Sequence, residues 1–334
     1  MITLLSSFCA LMFFQAAPTP QLPEFYKTVH RVSWVVKDLD RVRSGWSRLG
    51  FPPANDEGEI ELANLKGKGE PSASVVRVAT TRLGDLEIDW IQPISGRNAY
   101  SDFLARHGEG IFGLVHHVAT QAALNSELER LGRAGIGVLQ DQQIDTGDGF
   151  IRMVYFDTES TGKYALGVIL YPGAPLVSSG ANKGRAPFDV KNSQFAFVVR
   201  DPKPVSEFWQ RAGFPAIAVT HGPLRDRIYR GQPGQFDHNL GWQRHGTVVY
   251  EWCIPLQGPT AYEDHLKAHG EGFHHLAFQV DDIDKVITDW TARGFPSIQS
   301  GAWGEAGKQG SGRFAYMDTD AIGGVTVELL WSFR

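Results

Sequence analysis

The chain has 334 residues, room for two ordinary domains or one larger α/β domain. Apolar residues make up 42% and aromatic ones 11%, enough for substantial cores, which argues against wholesale disorder. Thirty-two basic against 37 acidic residues leave a formal charge of -5, with no basic run and no acidic tail, so nucleic acid is not an expected partner.

The first residues, MITLLSSFCALMFFQAAPTPQLPEF, differ from everything after them. An apolar run ends at Ala16-Ala17 before a Pro-rich stretch, the pattern of a secretory h-region and small-residue cleavage site, although no early Lys or Arg precedes it. Residues 1–17 are therefore expected to be a signal peptide and the mature chain secreted or periplasmic; a retained segment would make it cytoplasmic. The run is too short for a membrane-spanning helix. Cys9, set among apolar residues, does not suit lipid attachment. Without the leader Cys253 is the one cysteine, so no intrachain disulfide is expected and thiol-rich zinc sites are excluded. Any metal must then use His, carboxylate or amide ligands.

The first periodic block, RVSWVVKDLDRVRSGWSRLGFP at 31–52, reads as an alternating strand, an acidic turn and an amphipathic helix ending at Gly-Phe. It returns as QFAFVVRDPKPVSEFWQRAGFP at 194–215. PISGRNAYSDFLARHGEG, from position 93, returns without a gap as PLQGPTAYEDHLKAHGEG from position 255, 162 residues on. YFDTESTG at 155–162 returns as YMDTDAIG at 316–323. Three blocks matched in the same order mark a tandem duplication. The join, YPGAPLVSSGANKGRAPFD, has the Gly, Pro and Ser content of a linker, which places domains at 26–174 and 191–334 around a linker at 175–190. Each copy divides again: HLAFQVDDIDKVITDWTARGF repeats the design of FAFVVRDPKPVSEFWQRAGF, and apolar strands such as GTVVYEWCIP and GGVTVELLW follow. The expectation is an α+β fold of four β-α-β-β-β units in two pairs, with short helices on one face of mostly antiparallel sheets.

This organisation resembles the vicinal oxygen chelate (VOC) superfamily, which includes glyoxalase I, methylmalonyl-CoA epimerase, extradiol dioxygenases and bleomycin-resistance proteins. The resemblance covers nearly all of the chain after the leader, and GEGFHHLAFQVDDID and GGVTVELLW are most similar in motif to glyoxalase I and the epimerase. It implies two domains with cupped mixed sheets, and a divalent metal held in the cup by residues of the first and last strands of each unit. Strand alternation indicates which side chains would face that cup. His275, Ala277 and Gln279 share one face, while Leu276, Phe278 and Val280 take the greasier one. Glu328 and Glu251 each interrupt an apolar strand, a costly place for a carboxylate unless it is paired, protonated or metal-bound. Gln194 matches His275 in the preceding unit.

Gln194, Glu251, His275 and Glu328 thus fall at the four family positions, a set similar to the zinc site of some glyoxalase I enzymes. Such donors suit Zn first, with Ni, Co, Mn or Fe also accommodated. Singly, each has a plainer explanation, since buried Gln and strand His are more often structural. His274 should point away from the cup towards the helix side and serve packing, unless a bulge exchanges the two histidines. In the first half the counterparts are read as Arg31, Asp89, His117 and Gly167, with His30 beside Arg31. A cation and a residue without a side chain make a metal improbable there, so that half is a scaffold or pocket wall; Arg31 and His117 as holders of an anionic group stay open. His107 and His269 read as loop or cap residues, and Tyr155 and Tyr316 as core aromatics with a hydroxyl partner. Arg225, Arg227, His221 and His238 read by default as exposed charge, with a substrate-recognising rim as the alternative.

The resemblance implies a metal-dependent lyase or isomerase in which a proton beside a chelated carbonyl is abstracted, with Glu328 as first candidate base and Glu251 as second. The partner is then a small molecule, and the chain a monomer or homodimer with no membrane attachment once the leader is gone. A non-catalytic binding protein of bleomycin-resistance type, an extradiol-type dioxygenase, a thiol transferase acting on epoxides and a purely structural duplicate remain as alternatives. Gln194 in place of a first histidine argues against the dioxygenase, whose iron normally takes two histidines and one carboxylate. No Gly-rich phosphate loop or basic cluster points to CoA or a nucleotide.

Overall fold

The computed structural model describes residues 22–67, 73–172 and 191–333. The leader at 1–17, with Cys9, and the linker at 175–190 lie outside the described residues. Each of the four units opens on a strand followed by a helix: Leu39–Arg48, Gln121–Arg133, Pro202–Arg211 and Ile283–Ala292. Their starts are set by side chains that accept from free backbone N–H groups: Asp38 from Arg41, Thr120 from Ala123, Asp201 from Lys203 and Asp282 from Lys285. The acidic turns of the sequence are these caps. Each helix ends just before a glycine at positive φ (Gly50, Gly135, Gly213 and Gly294), the left-handed turn that a side chain would strain. The apolar stripes, among them Trp46, Leu131, Trp209 and Trp290, are buried in one core that draws on both halves of the chain.

Two mixed sheets result. In the first half the strand order is Asn55–Glu61, Val75–Leu83, Leu86–Ser95, Arg31–Val35, Gly110–His117, Ala165–Leu170, Phe150–Phe156, Val138–Asp145, Ala63–Gly67. The two edge strands are joined by Leu62 alone, so the sheet has to curl until its edges nearly meet. The second sheet runs Ala218–Thr220, Asp237–His245, Val248–Gln257, Lys191–Val198, Gly272–Gln279, Thr326–Ser332, Gly312–Met317, Ser297–Trp303, Leu224–Tyr229, Gln232–Pro233. There His221, Gly222 and Pro223 bridge Ala218–Thr220 to Leu224–Tyr229 across the opening. Each half is thus a cup, as the α+β expectation required. The central two strands of each cup are antiparallel, and each has a parallel neighbour on its outer side.

A second helix in each half, Ala99–His107 and Ala261–Ala268, packs on the concave side, where Tyr100 and Tyr262 join the cup's own cluster. The convex sides face each other across the shared core, and the two halves clasp reciprocally. Trp46 Nε1 donates to the Ile322 carbonyl at 3.0 Å, and Trp209 Nε1 to the Gly162 carbonyl at 3.1 Å. His107 Nδ1 meets the His269 carbonyl at 3.1 Å, and His269 Nδ1 the His107 carbonyl at 2.9 Å. The twin HGEG histidines are therefore helix-end residues that fasten one half to the other. Among the described residues no helix is long and apolar enough to cross a membrane.

Candidate metal centre

Four adjacent strands of the second cup place the four predicted side chains at the corners of a quadrilateral. Ala196 lies across from Glu251 on one side and His275 on the other, while Ala277 lies across from Gln194 and Glu328. All six share the concave face. Phe195, Leu276 and Leu329, one residue along, enter the shared core instead. The two alanines, both fully buried, leave a floor without bulk between the longer side chains.

The functional atoms converge. Gln194 Nε2 donates to Glu251 Oε2 at 2.7 Å and to Glu328 Oε2 at 3.2 Å. His275 Nε2 lies 3.2 Å from the same oxygen of each glutamate. All four residues are buried, His275 completely. Burying two carboxylates costs several kcal/mol each unless something compensates them. Even so, His275 Nε2 makes no well-aligned hydrogen bond to either oxygen, and it is an orphaned buried nitrogen. An imidazole nitrogen and two carboxylate oxygens turned towards one point, at ion-pair distance but poorly aligned for hydrogen bonds, is the pattern a shared cation would complete. A half-turn of the Gln194 amide brings its oxygen to the same place. The donor set fits a divalent ion of borderline or hard character.

Electrostatics describe the same competition. Burial alone would depress the His275 pKa, but the Glu328 and Glu251 carboxylates outweigh it and raise the value to about 9. Burial pushes the Glu328 carboxyl above the usual carboxylate range, against the pull of His275. The metal-free cluster thus holds a proton where a cation would sit.

Cys253 is a residue whose position the strand pattern left without a role. Glu251, Cys253 and His275 offer ligand atoms all within 4.8 Å of one another. Burial first, and Glu251 next, push the thiol well above its ordinary range and keep it protonated, so Glu328 is the better donor. A cavity of about 470 Å3 opens onto Gln194, Glu251 and Glu328, with walls that include Leu240, Trp242 and Phe314. His238 corrects the default reading of exposed charge: it is buried in this wall, its Nδ1 has no partner, and burial holds its pKa below the ordinary value. His221 does lie exposed at the rim, whereas Arg225 and Arg227 spend their guanidinium groups on the backbone carbonyls of Gly304 and Phe236. The signal for His238 was its alternation with Leu240 and Trp242, which share its face.

His274 also departs from expectation. Phe197 pairs with Phe273 and Ala196 with His275, so His274 is the extra residue of a β-bulge and turns to the concave side beside His275. It packs against Tyr262 and Tyr316, not in the helix-covered core.

The first cup keeps the frame and, of the four donor positions, only the carboxylate at Asp89. Ser33 pairs with Asp89 and Gly113 as Ala196 pairs with Glu251 and His275, so the counterpart of His275 is Gly113 and not His117. Gly167 does match Glu328, since Val115 pairs with it as Ala277 pairs with Glu328. The two glycines make room for Tyr155: a Cβ on Gly113 or Gly167 would stand 3.2 or 3.0 Å from its ring. Its hydroxyl bonds Ser33 at 2.6 Å, the partner expected of a core tyrosine; Tyr316 likewise meets Tyr262. Arg31 is tied to Asp89 at 2.5 Å and to Glu87 at 3.3 Å. His30 meets Tyr171, and His117 is only half-buried near both. Among the described residues, Gly113 and Gly167 leave no imidazole or carboxylate at the places that His275 and Glu328 hold in the second cup.

Comparison with solved structures finds the same two-domain fold. The chain is similar to a triple mutant of 4-hydroxymandelate synthase from Streptomyces coelicolor, with a TM-score of 0.58 and 18% identity over 92% of each chain. It is similar to a xylose isomerase-like TIM barrel/4-hydroxyphenylpyruvate dioxygenase fusion protein, with a TM-score of 0.54 and 14% identity, covering 95% of this chain and 50% of that one. A Mn(II)-bound glyoxalase from Novosphingobium aromaticivorans matches with a TM-score of 0.47 and 14% identity, over 92% of this chain and 83% of that one. The family model for the Glyoxalase/Bleomycin resistance protein/Dioxygenase superfamily matches residues 30–156 and again 193–316. With a cupped sheet and a family match in each half, the chain belongs to that superfamily, as a tandem of two VOC domains.

Proposed function

We propose that this chain is a divalent-metal-dependent enzyme of glyoxalase or epimerase type, a lyase or isomerase, working in the second cup. The observation that carries the reading is the convergence of Gln194, Glu251, His275 and Glu328, with His275 Nε2 left unsatisfied between two carboxylates. Those four residues would hold the ion, zinc first. A bound divalent ion supplies Lewis acidity, which makes a proton beside a carbonyl removable. Glu328 is the first candidate for taking that proton: it lines the cavity, and burial makes its carboxylate a stronger base than a solvated one. Glu251 lines the same wall and is the second. Leu240, Trp242 and Phe314 would exclude water and receive the apolar part of a small substrate, while His238 offers a neutral imidazole for a polar one.

Elemental analysis of the purified untagged chain tests this. About one equivalent of transition metal is expected, and none in Glu328→Ala or His275→Ala. An apo protein that takes up no Zn, Ni, Co, Mn or Fe on reconstitution would sink the enzyme reading and leave a small-molecule binding protein.

A second reading, extradiol-type dioxygenase chemistry, draws on fold analogy alone, because the chain is also similar to a fusion protein with a 4-hydroxyphenylpyruvate dioxygenase part, over 95% of this chain and 50% of that one. Gln194 and a second carboxylate argue for non-redox chemistry. Iron as the native metal together with oxygen uptake would reverse that preference.

A further inference from the structure

The bulge that turns His274 into the cup is present in both halves. In the first, Ser33 pairs with Gly113 and Trp34 with Ile111, leaving Phe112 as the extra residue. Phe112 packs between Tyr100 and Tyr155, with ring centroids 5.3 and 5.0 Å away. His274 packs between Tyr262 and Tyr316 at 5.2 and 5.5 Å. The same aromatic slot therefore accepts a phenyl ring where the next residue is Gly113, and holds an imidazole where the next residue is His275. Packing alone does not ask for an imidazole.

What the imidazole adds is a nitrogen. His274 Nδ1 lies 2.7 Å from His275 Nδ1, and two nitrogens that close need a single proton between them. His274 is fully buried. His275 turns Nε2 to the carboxylates, and an imidazole that holds a cation through Nε2 carries its proton on Nδ1. Nδ1 of His274 is then the acceptor, and Nδ1 of His275 the donor.

We propose that His274 is a positioning residue for the metal centre: it accepts the Nδ1 proton of His275 and thereby turns the Nε2 lone pair of His275 towards Gln194, Glu251 and Glu328. The inference rests on the metal-site reading of Proposed function. It assigns to a neutral histidine the role that a carboxylate or carbonyl usually plays behind a metal-bound imidazole.

The test uses the full chain labelled with 15N in its histidine rings, metal-free and with zinc ion. Long-range ring correlations should show His274 as the Nε2–H tautomer with a hydrogen-bonded Nδ1 acceptor in both states. Two variants accompany it. His274→Asn keeps an acceptor oxygen near the Nδ1 position, and His274→Phe copies the first half. Zinc affinity, measured by competition with a chromophoric chelator, should stay within about threefold in the first and fall roughly 10–100-fold in the second. An Nδ1–H tautomer at His274 overturns the proposal, and so does wild-type zinc affinity in a folded His274→Phe. If that variant does not fold, the tautomer and His274→Asn decide: a loss of affinity in His274→Asn as large as that expected for Phe also overturns it. A wild-type chain that binds no metal overturns the functional reading as well, whereas a wrong tautomer beside a zinc-loaded site overturns only this step.

Discussion

A buried imidazole set between two buried carboxylates titrates according to its company. Because the folded-state pKa of His275 lies near 9, above the ordinary 6.5, its stabilising effect in the metal-free protein is fully present below pH 6.5 and is lost as pH rises through about 9. The thermal midpoint of chelator-treated protein should therefore fall across that window, by a free energy of about 3 kcal/mol at most. His275→Asn should remove this part of the slope. A flat profile in the untreated wild type and a falling one after chelation would show that a cation takes the place of the proton. No change of slope between wild type and variant would mean that His275 is not the titrating group. His275 was legible from its own strand because alternation sets it apart from Leu276 and Phe278. His238 was not, since a buried wall histidine and an exposed one look alike until the strand's face is known.

At the scale of elements, the centre depends on what its strands omit as much as on what they carry. Ala196 and Ala277 sit between the donors, and a branched side chain at either place would occupy the space where they meet. Ala277→Val, which suits a strand by propensity, should keep the circular dichroism of the wild type and lose bound metal at least tenfold; unchanged metal content would show that the floor is not part of the site. In the first cup Gly113 is held for a different reason, since a Cβ there would stand 2.7 Å from the Ala165 carbonyl oxygen. Gly113→Ala should destabilise by about 1–3 kcal/mol in urea denaturation, and a neutral result would show that the strands can part. The bulge explains why both adjacent histidines are concave. One residue inserted opposite Ala196 and Phe197 reverses the facing of everything before it, and no feature of GFHHLAF announces that insertion. The bulge does not explain the misplaced His117, because it falls at the same place in both halves; the gap-free offset of 162 residues already sets Gly113 against His275, and the pairing with Ser33 agrees.

The whole molecule is two cups joined back to back by a single core. Gly45 and Gly162 lie at that junction, where a Cβ would stand 2.2 Å from an Ile322 methyl and 2.6 Å from the Trp209 ring. With the two halves sharing Trp46, Trp209 and Trp290, calorimetry should record one cooperative transition, and Gly162→Ala should lower its midpoint while leaving it single. Two resolved transitions in the wild type would mean that the halves hold their own cores. The degenerate first cup has a place in this scheme without a metal, because its convex face is half of the core on which the second cup rests.

The sequence by itself determined the duplication, the α+β units and the four side chains that converge in the second cup, because a repeat needs only side-by-side comparison and an isolated glutamate in an apolar strand stands out by period alone. Helix starts and ends were equally local, resting on capping side chains and glycines within a few residues. The tertiary structure decided what depends on pairing between distant strands: the closing of each cup, the face of His274, the burial of His238 and the filling of the first cup by Tyr155. Those outcomes turn on register and on the volume left by small residues in neighbouring strands, and neither is encoded within any one segment.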